Sequence, residues 1–95
     1  MYATILRCDL PALASADARR QGGRTLATAL AALPGFVAVV ALDVEGEAGV
    51  VVVLCLYEEQ TSIAAAAGVI EAWQGEQGGG IEHVGMGAVI AQKGL

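Results

Sequence analysis

Four side chains in this 95-residue chain stand out as able to do or support chemistry: His83, Tyr57, Arg7 and Trp73. His83 is the only histidine, and no other side chain type has an ordinary pKa near neutrality, so general acid–base work would fall to it. Strict strand alternation puts it on one face with Ile81, Gly85 and Gly87. Two residues without side chains would leave free volume there, and a histidine beside a void is what a pocket needs. A surface histidine beside glycines that mark a bulge fits the same residues. Tyr57 closes an apolar run and can donate a phenolic hydrogen bond into a pocket, or sit as a boundary aromatic, dry at one end and wet at the other. Arg7 interrupts another apolar run on the parity of Ala3 and Ile5. A guanidinium there needs an acidic partner, for which Asp43 and Glu58 end neighbouring strands, or a bound anion. Trp73 lies on the apolar stripe of a helix, where it packs in the core or walls a ligand pocket.

Other chemistries are poorly served. Cys8 and Cys55 both lie in apolar runs, are too few for a disulfide framework, and read as small buried hydrophobes. Two cysteines and one histidine argue against structural zinc, and no metal is expected. Gly75–Gly80 and Gly85-Met86-Gly87 lack the Lys-Ser/Thr of a phosphate loop and the strand-to-helix setting of a dinucleotide fingerprint. The first reads as a flexible loop. Five Lys/Arg against ten Asp/Glu give a net charge of −5, which argues against nucleic acid. The charge is uneven: residues 1–33 carry +2 and residues 34–95 carry −7.

These residues must be positioned by a small domain. The length gives one domain over residues 1–95. Yet 56% of residues are hydrophobic and only 16% charged, more apolar surface than a lone small domain readily hides. Thr25 to Leu42 runs 18 residues without a charge, but Pro34-Gly35 divides an Ala/Leu-rich half from a β-branched half. It reads as a helix end followed by a strand, not a membrane span. With no signal peptide at Met1-Tyr2-Ala3, the expected location is the reducing cytoplasm.

The chain divides into a strand at 2–8, a helix from Ser15 or Asp17 to Leu33, strands at 36–43 and 50–57, a helix from about 59–62 to 74, and a strand at 81–92. Leu26, Leu30 and Leu33 mark the buried stripe of the first helix, and Gly22-Gly23 should fray or kink it. Ile63, Ala66, Ala67, Ile70 and Trp73 mark that of the second. The order β-α-β-β-α-β predicts a ferredoxin-like α+β fold, a four-stranded antiparallel sheet with both helices on one face. Phe36–Leu42 and Val50–Leu56 carry no polar side chain except Cys55 on either parity. Helices cover one face only, so the other is expected to meet a second copy of the sheet in a homodimer.

Met1-Tyr2-Ala3-Thr4-Ile5, an Arg-bearing helix ending Ala32-Leu33-Pro34-Gly35-Phe36-Val37-Ala38, then Leu56-Tyr57-Glu58-Glu59-Gln60, an Ala-rich helix ending at Trp73 and a closing Gly-rich strand together resemble the antibiotic biosynthesis monooxygenase-like group. That group belongs to the dimeric α+β barrel superfamily. The resemblance spans nearly the whole chain, with Leu33-Pro34-Gly35-Phe36 as its one short motif. It implies a ferredoxin-like subunit, sheet-to-sheet dimers and a pocket between sheet and helices. Characterised members include cofactor-independent quinone-forming oxygenases and haem-degrading enzymes.

The catalytic pattern of that group places an Asn on the first strand, a Trp and, in the haem degraders, a helical His. This chain has no Asn, Arg7 stands near that strand position, and glycines 78–80 separate His83 from the helix of Trp73. The resemblance therefore implies a small, largely apolar ligand and possible oxygenation of an activated aromatic without cofactor. His83 would be the base, Tyr57 or Arg7 would steady developing negative charge, and Trp73, Gly85 and Gly87 would line the pocket. The alternatives are a non-catalytic ligand-binding or sensory dimer module, and a structural dimer whose pocket its own side chains fill.

Overall fold

The computed structural model describes residues 1–11 and 15–94. Its elements are β1 (Tyr2–Asp9), α1 (Ala16–Ala31), β2 (Phe36–Asp43), β3 (Val50–Tyr57), α2 (Ser62–Gln77) and β4 (Gly80–Ala88). The strands form one antiparallel sheet in the order β2-β3-β1-β4. This is the expected ferredoxin-like arrangement.

Sequence explains the boundaries. Ser15 caps α1, its hydroxyl accepting from the Ala18 amide at 3.1 Å. Past its end Gly35 takes a positive φ of 78°, turning the chain into β2. The expected break at Gly22-Gly23 does not occur, and α1 runs unbroken. Gly22 is buried, and its carbonyl accepts a 3.0 Å hydrogen bond from Trp73 Nε1, so α2 braces the weak point of α1. The second helix is longer than its sequence suggests: residues 75–77 are helical, and it ends on Gly78 in the left-handed conformation. The last strand is shorter, stopping at Ala88.

Alternation decides what each strand buries. Thr4, Leu6 and Cys8 of β1 and Val51, Val53, Cys55 and Tyr57 of β3 are buried beneath the helices. From above, Leu26 and Leu30 of α1 and Ala66, Ile70 and Trp73 of α2 complete this core. Among the described residues nothing covers the opposite face. There Ile5, Val40 and Leu42 are 38%, 50% and 58% exposed, and Val52, Leu54 and Leu56 remain half-buried between them. Among the described residues no helix is long and apolar enough to cross a membrane.

Candidate functional site under α2

The site is built on the inward parity of the two central strands. Thr4 and Leu6 of β1 and Tyr57 of β3 form its floor, Ile63, Ala67 and Ile70 of α2 its roof, and His83 and Met86 of β4 its open side. They enclose about 40 Å³. The space is apolar apart from one phenol, one alcohol and one imidazole.

Tyr57 is the unusual member. The sequence allowed a phenol with a wet tip, but the residue is fully buried, and among the described residues nothing meets its hydroxyl at hydrogen-bonding geometry. Thr4 and Cys55 lie close enough to perturb it without satisfying it. Leaving such a group unpaired costs about 1–3 kcal/mol. Burial is also the main reason its ionisation is pushed far above the ordinary phenol range. The side chain is therefore a neutral O–H donor, buried away from bulk solvent.

His83 reaches the same chamber by a route that the sequence concealed. Pairing to β1 shifts register between Ile5 and Leu6, so that Leu6 faces His83 while Ile5 faces Gly85. Val84 is the extra residue, a β-bulge. Its insertion overturns strict alternation. His83 shares the helix side with Ile81, Met86 and Ala88, whereas Gly85 and Gly87 stand opposite Ile5 and Ala3 on the bare face. The two glycines therefore do not open space beside His83. Small side chains of α2 and the unfilled zone above Tyr57 do.

The four chemistry-bearing residues thus divide among three places. Tyr57 and His83 share the chamber. Trp73 lies further along α2, 5% exposed, beside Leu10, Leu26 and Val53 and tied to Gly22; it packs in the core. Arg7 is on the bare face, as its parity required, but its partner is neither Asp43 nor Glu58. Glu47, in the turn joining β2 to β3, accepts from both guanidinium nitrogens at 2.8 and 3.2 Å. The pair raises the arginine pKa and lowers that of Glu47. Asp43 is taken by Arg19 of α1 in a two-pronged ion pair at 2.6 and 3.0 Å.

Thr4 is the site residue that sequence reading missed. Its signal was a polar residue on the inward parity of β1 between apolar neighbours. The two cysteines are free and buried, as expected, and burial pushes Cys8 up to about 11. Among the described residues no group of three or more His, Cys, Asp or Glu is placed to hold a metal ion.

A ferredoxin-like domain with a small chamber between sheet and helices defines a class of protein rather than a reaction. Solved structures similar to this one include a putative antibiotic biosynthesis monooxygenase from Nitrosomonas europaea, with a TM-score of 0.72 at 16% identity over 96% of this chain and 100% of that one, in line with the resemblance carried by the sequence. SnoaB, a cofactor-independent oxygenase from Streptomyces nogalater, superposes with a TM-score of 0.72 at 16% identity, over 99% of this chain and 95% of that one. The haem degrader MhuD of Mycobacterium tuberculosis, whose structure holds two haems in its active site, gives 0.71 at 20% identity, over 99% and 100%. Rv0793 from the same organism gives 0.67 at 15%, over 98% of each chain. No family model and no curated protein sequence matches the chain. At these identities the likeness shows a common fold.

Proposed function

We propose that this protein binds a small, largely apolar molecule beneath α2 and oxygenates it there, the substrate being an electron-rich aromatic. The buried Tyr57 hydroxyl, without a protein partner among the described residues, carries this reading: in an apolar chamber it is a donor placed to meet the acceptor of a ligand. The fold shared with a cofactor-independent oxygenase supports the reaction class. His83 takes the proton of a phenolic hydroxyl. The resulting ring anion supplies the electrons that reduce dioxygen. One oxygen atom replaces a ring hydrogen and becomes a quinone carbonyl, and the phenolic oxygen becomes the other carbonyl. The second oxygen atom leaves as water with the two hydrogens lost, so the ring supplies all four electrons and no external reductant is consumed. Tyr57 donates its O–H to the oxygen that carries developing negative charge. Gly85 and Gly87 on the bare face, Trp73 in the core and Arg7 beside Glu47 take supporting structural parts.

The chamber of about 40 Å³ accommodates a water-sized guest, and an aromatic ring needs α2 to move outward. That helix is suited to it. Its N-cap Thr61 makes no side-chain capping hydrogen bond, and between Ile63 and Ile70 its inward residues are Ala66, Ala67 and Val69.

The working unit is a homodimer. Ile5, Val40 and Leu42, with Val52, Leu54 and Leu56 between them, give the bare sheet face an apolar surface that a second copy would cover. Leu54→Lys places a charge at its centre and is expected to yield monomers in sedimentation without changing the circular dichroism spectrum; an unaltered dimer would remove the sheet face from the interface.

Incubation with a panel of dihydroxyaromatics, in air and under nitrogen, tests the chemistry. Oxygenated product is expected only in air, with turnover lost in His83→Ala and slowed in Tyr57→Phe. Full activity in His83→Ala, or no turnover across the panel, would overturn catalysis. Saturable binding without product would instead establish a non-catalytic binding module, a reading favoured by the separation of Arg7 and Trp73 from the chamber.

A further inference from the structure

The other helix bounds a different space. Between α1 and the edge strand β2 lies a cleft of about 410 Å³, within the size range of small-molecule sites. Its floor is apolar, made by Leu26 and Ala27 of α1 and Val39 and Ala41 of β2. Small residues create it. A side chain begun at Gly23 would meet only the Ala41 methyl, at 3.9 Å. Its rim is cationic: Arg19, Arg20 and Arg24 line it against the single carboxylate of Asp43. Three of the five Lys/Arg residues of a chain carrying −5 overall are gathered here.

The three arginines are not equivalent. Arg19 is held by the two-pronged pair with Asp43, which fixes one wall of the cleft. Arg20 touches only Asp17, at 3.5 Å with both side chains largely exposed, a contact worth little. Arg24 has no side-chain partner among the described residues. The unpaired fork of Arg24 and the weakly held fork of Arg20 thus line the cleft beside an apolar floor. A simple inorganic anion would satisfy the rim and leave the floor wet. A neutral apolar molecule would cover the floor and strip water from the rim without replacing it. Only a molecule with both parts answers both surfaces.

We infer that the α1–β2 cleft binds an amphipathic organic carboxylate, its apolar body on Leu26, Ala27, Val39 and Ala41 and its carboxylate on Arg20 and Arg24. Guanidinium and carboxylate match in planar geometry, which favours this head group. The site is separate from the chamber beneath α2, and neither proposal rests on the other.

Titration with octanoate, octanol and acetate, followed by amide chemical shifts, tests it. Octanoate is expected to saturate with shifts clustered at residues 19–27 and 39–43, and to bind at least about tenfold more tightly than octanol or acetate. Arg20→Gln with Arg24→Gln should weaken octanoate about tenfold or more and bring it level with octanol. Gly23→Leu fills the cleft with a better helix former and should abolish binding while helicity is kept. Octanol binding as tightly as octanoate, unchanged octanoate affinity in the double variant, shifts centred on Thr4 and Ala67, or no saturable octanoate binding would each overturn the proposal.

Discussion

The two faces of the sheet are built from the same kinds of residue and do different work. On β3, Val51, Val53, Cys55 and Tyr57 point under the helices and are sealed, while Val52, Leu54 and Leu56 point the other way and meet no cover within the subunit. Hydrophobicity by itself does not stabilise a subunit; burial does, and it is supplied by α1 and α2 on one side only. The covered face holds the chain together. The bare face adds no such burial within the described residues.

Truncations test that contrast most strongly. Leu30→Ala, at a side chain with no exposure, should cost about 2–5 kcal/mol in urea denaturation. Leu42→Ala on the bare face should cost less than about 0.5 kcal/mol under monomeric conditions. Equal costs would mean that the bare face is already packed within the subunit.

Next in size is Tyr57→Phe. Removing a hydroxyl that is buried without a partner should raise stability by about 1 kcal/mol or more, read as a higher melting temperature. A loss of stability would show that the hydroxyl is satisfied after all.

The faces should also answer to opposite ends of the pH scale. Beneath the helices, burial lifts Cys8 from an ordinary 9.0 to about 11. The unfolded thiol therefore ionises first. Stability that is full below pH 9 should fall progressively towards pH 11, and Cys8→Ala should flatten that slope.

On the bare face the pair between Arg7 and Glu47 holds the carboxyl below its ordinary 4.5. Its contribution is full above that value and fades as the pH falls through the lowered one. Arg7→Gln should remove this acid dependence, the smallest effect of the four, and added salt should mimic the substitution.

Much of the fold was legible because local signals agreed. The caps at Ser15 and Gly35, the apolar periodicity of both helices and the doubly apolar hairpin each pointed the same way. The site was legible in part. Tyr57 and His83 line one chamber, but the partner of Arg7 lies 40 residues away in a turn, and an acid-rich chain offers several equal candidates. The helix tail at 75–77 was hidden by Gly75, whose low propensity is outweighed by the turns before it. Val84 was the least visible of all. With glycine on either side of Met86, no polar–apolar contrast marks where alternation slips.

That slip behaves like a frameshift written in space instead of in codons. Everything after Val84 is read in the opposite phase to unbroken alternation. Pairing Val84 regularly opposite Ile5 would therefore turn Met86 outward and bring Gly85 and Gly87 beneath α2, whereas deleting Val84 would leave them where they are. With the regular pairing, the wall of the chamber would be exchanged for emptiness while every other side chain kept its identity. A strand with a bulge at its midpoint can thus be relined wholesale by a one-residue slip of its pairing, a larger change of contents than any substitution within it would bring.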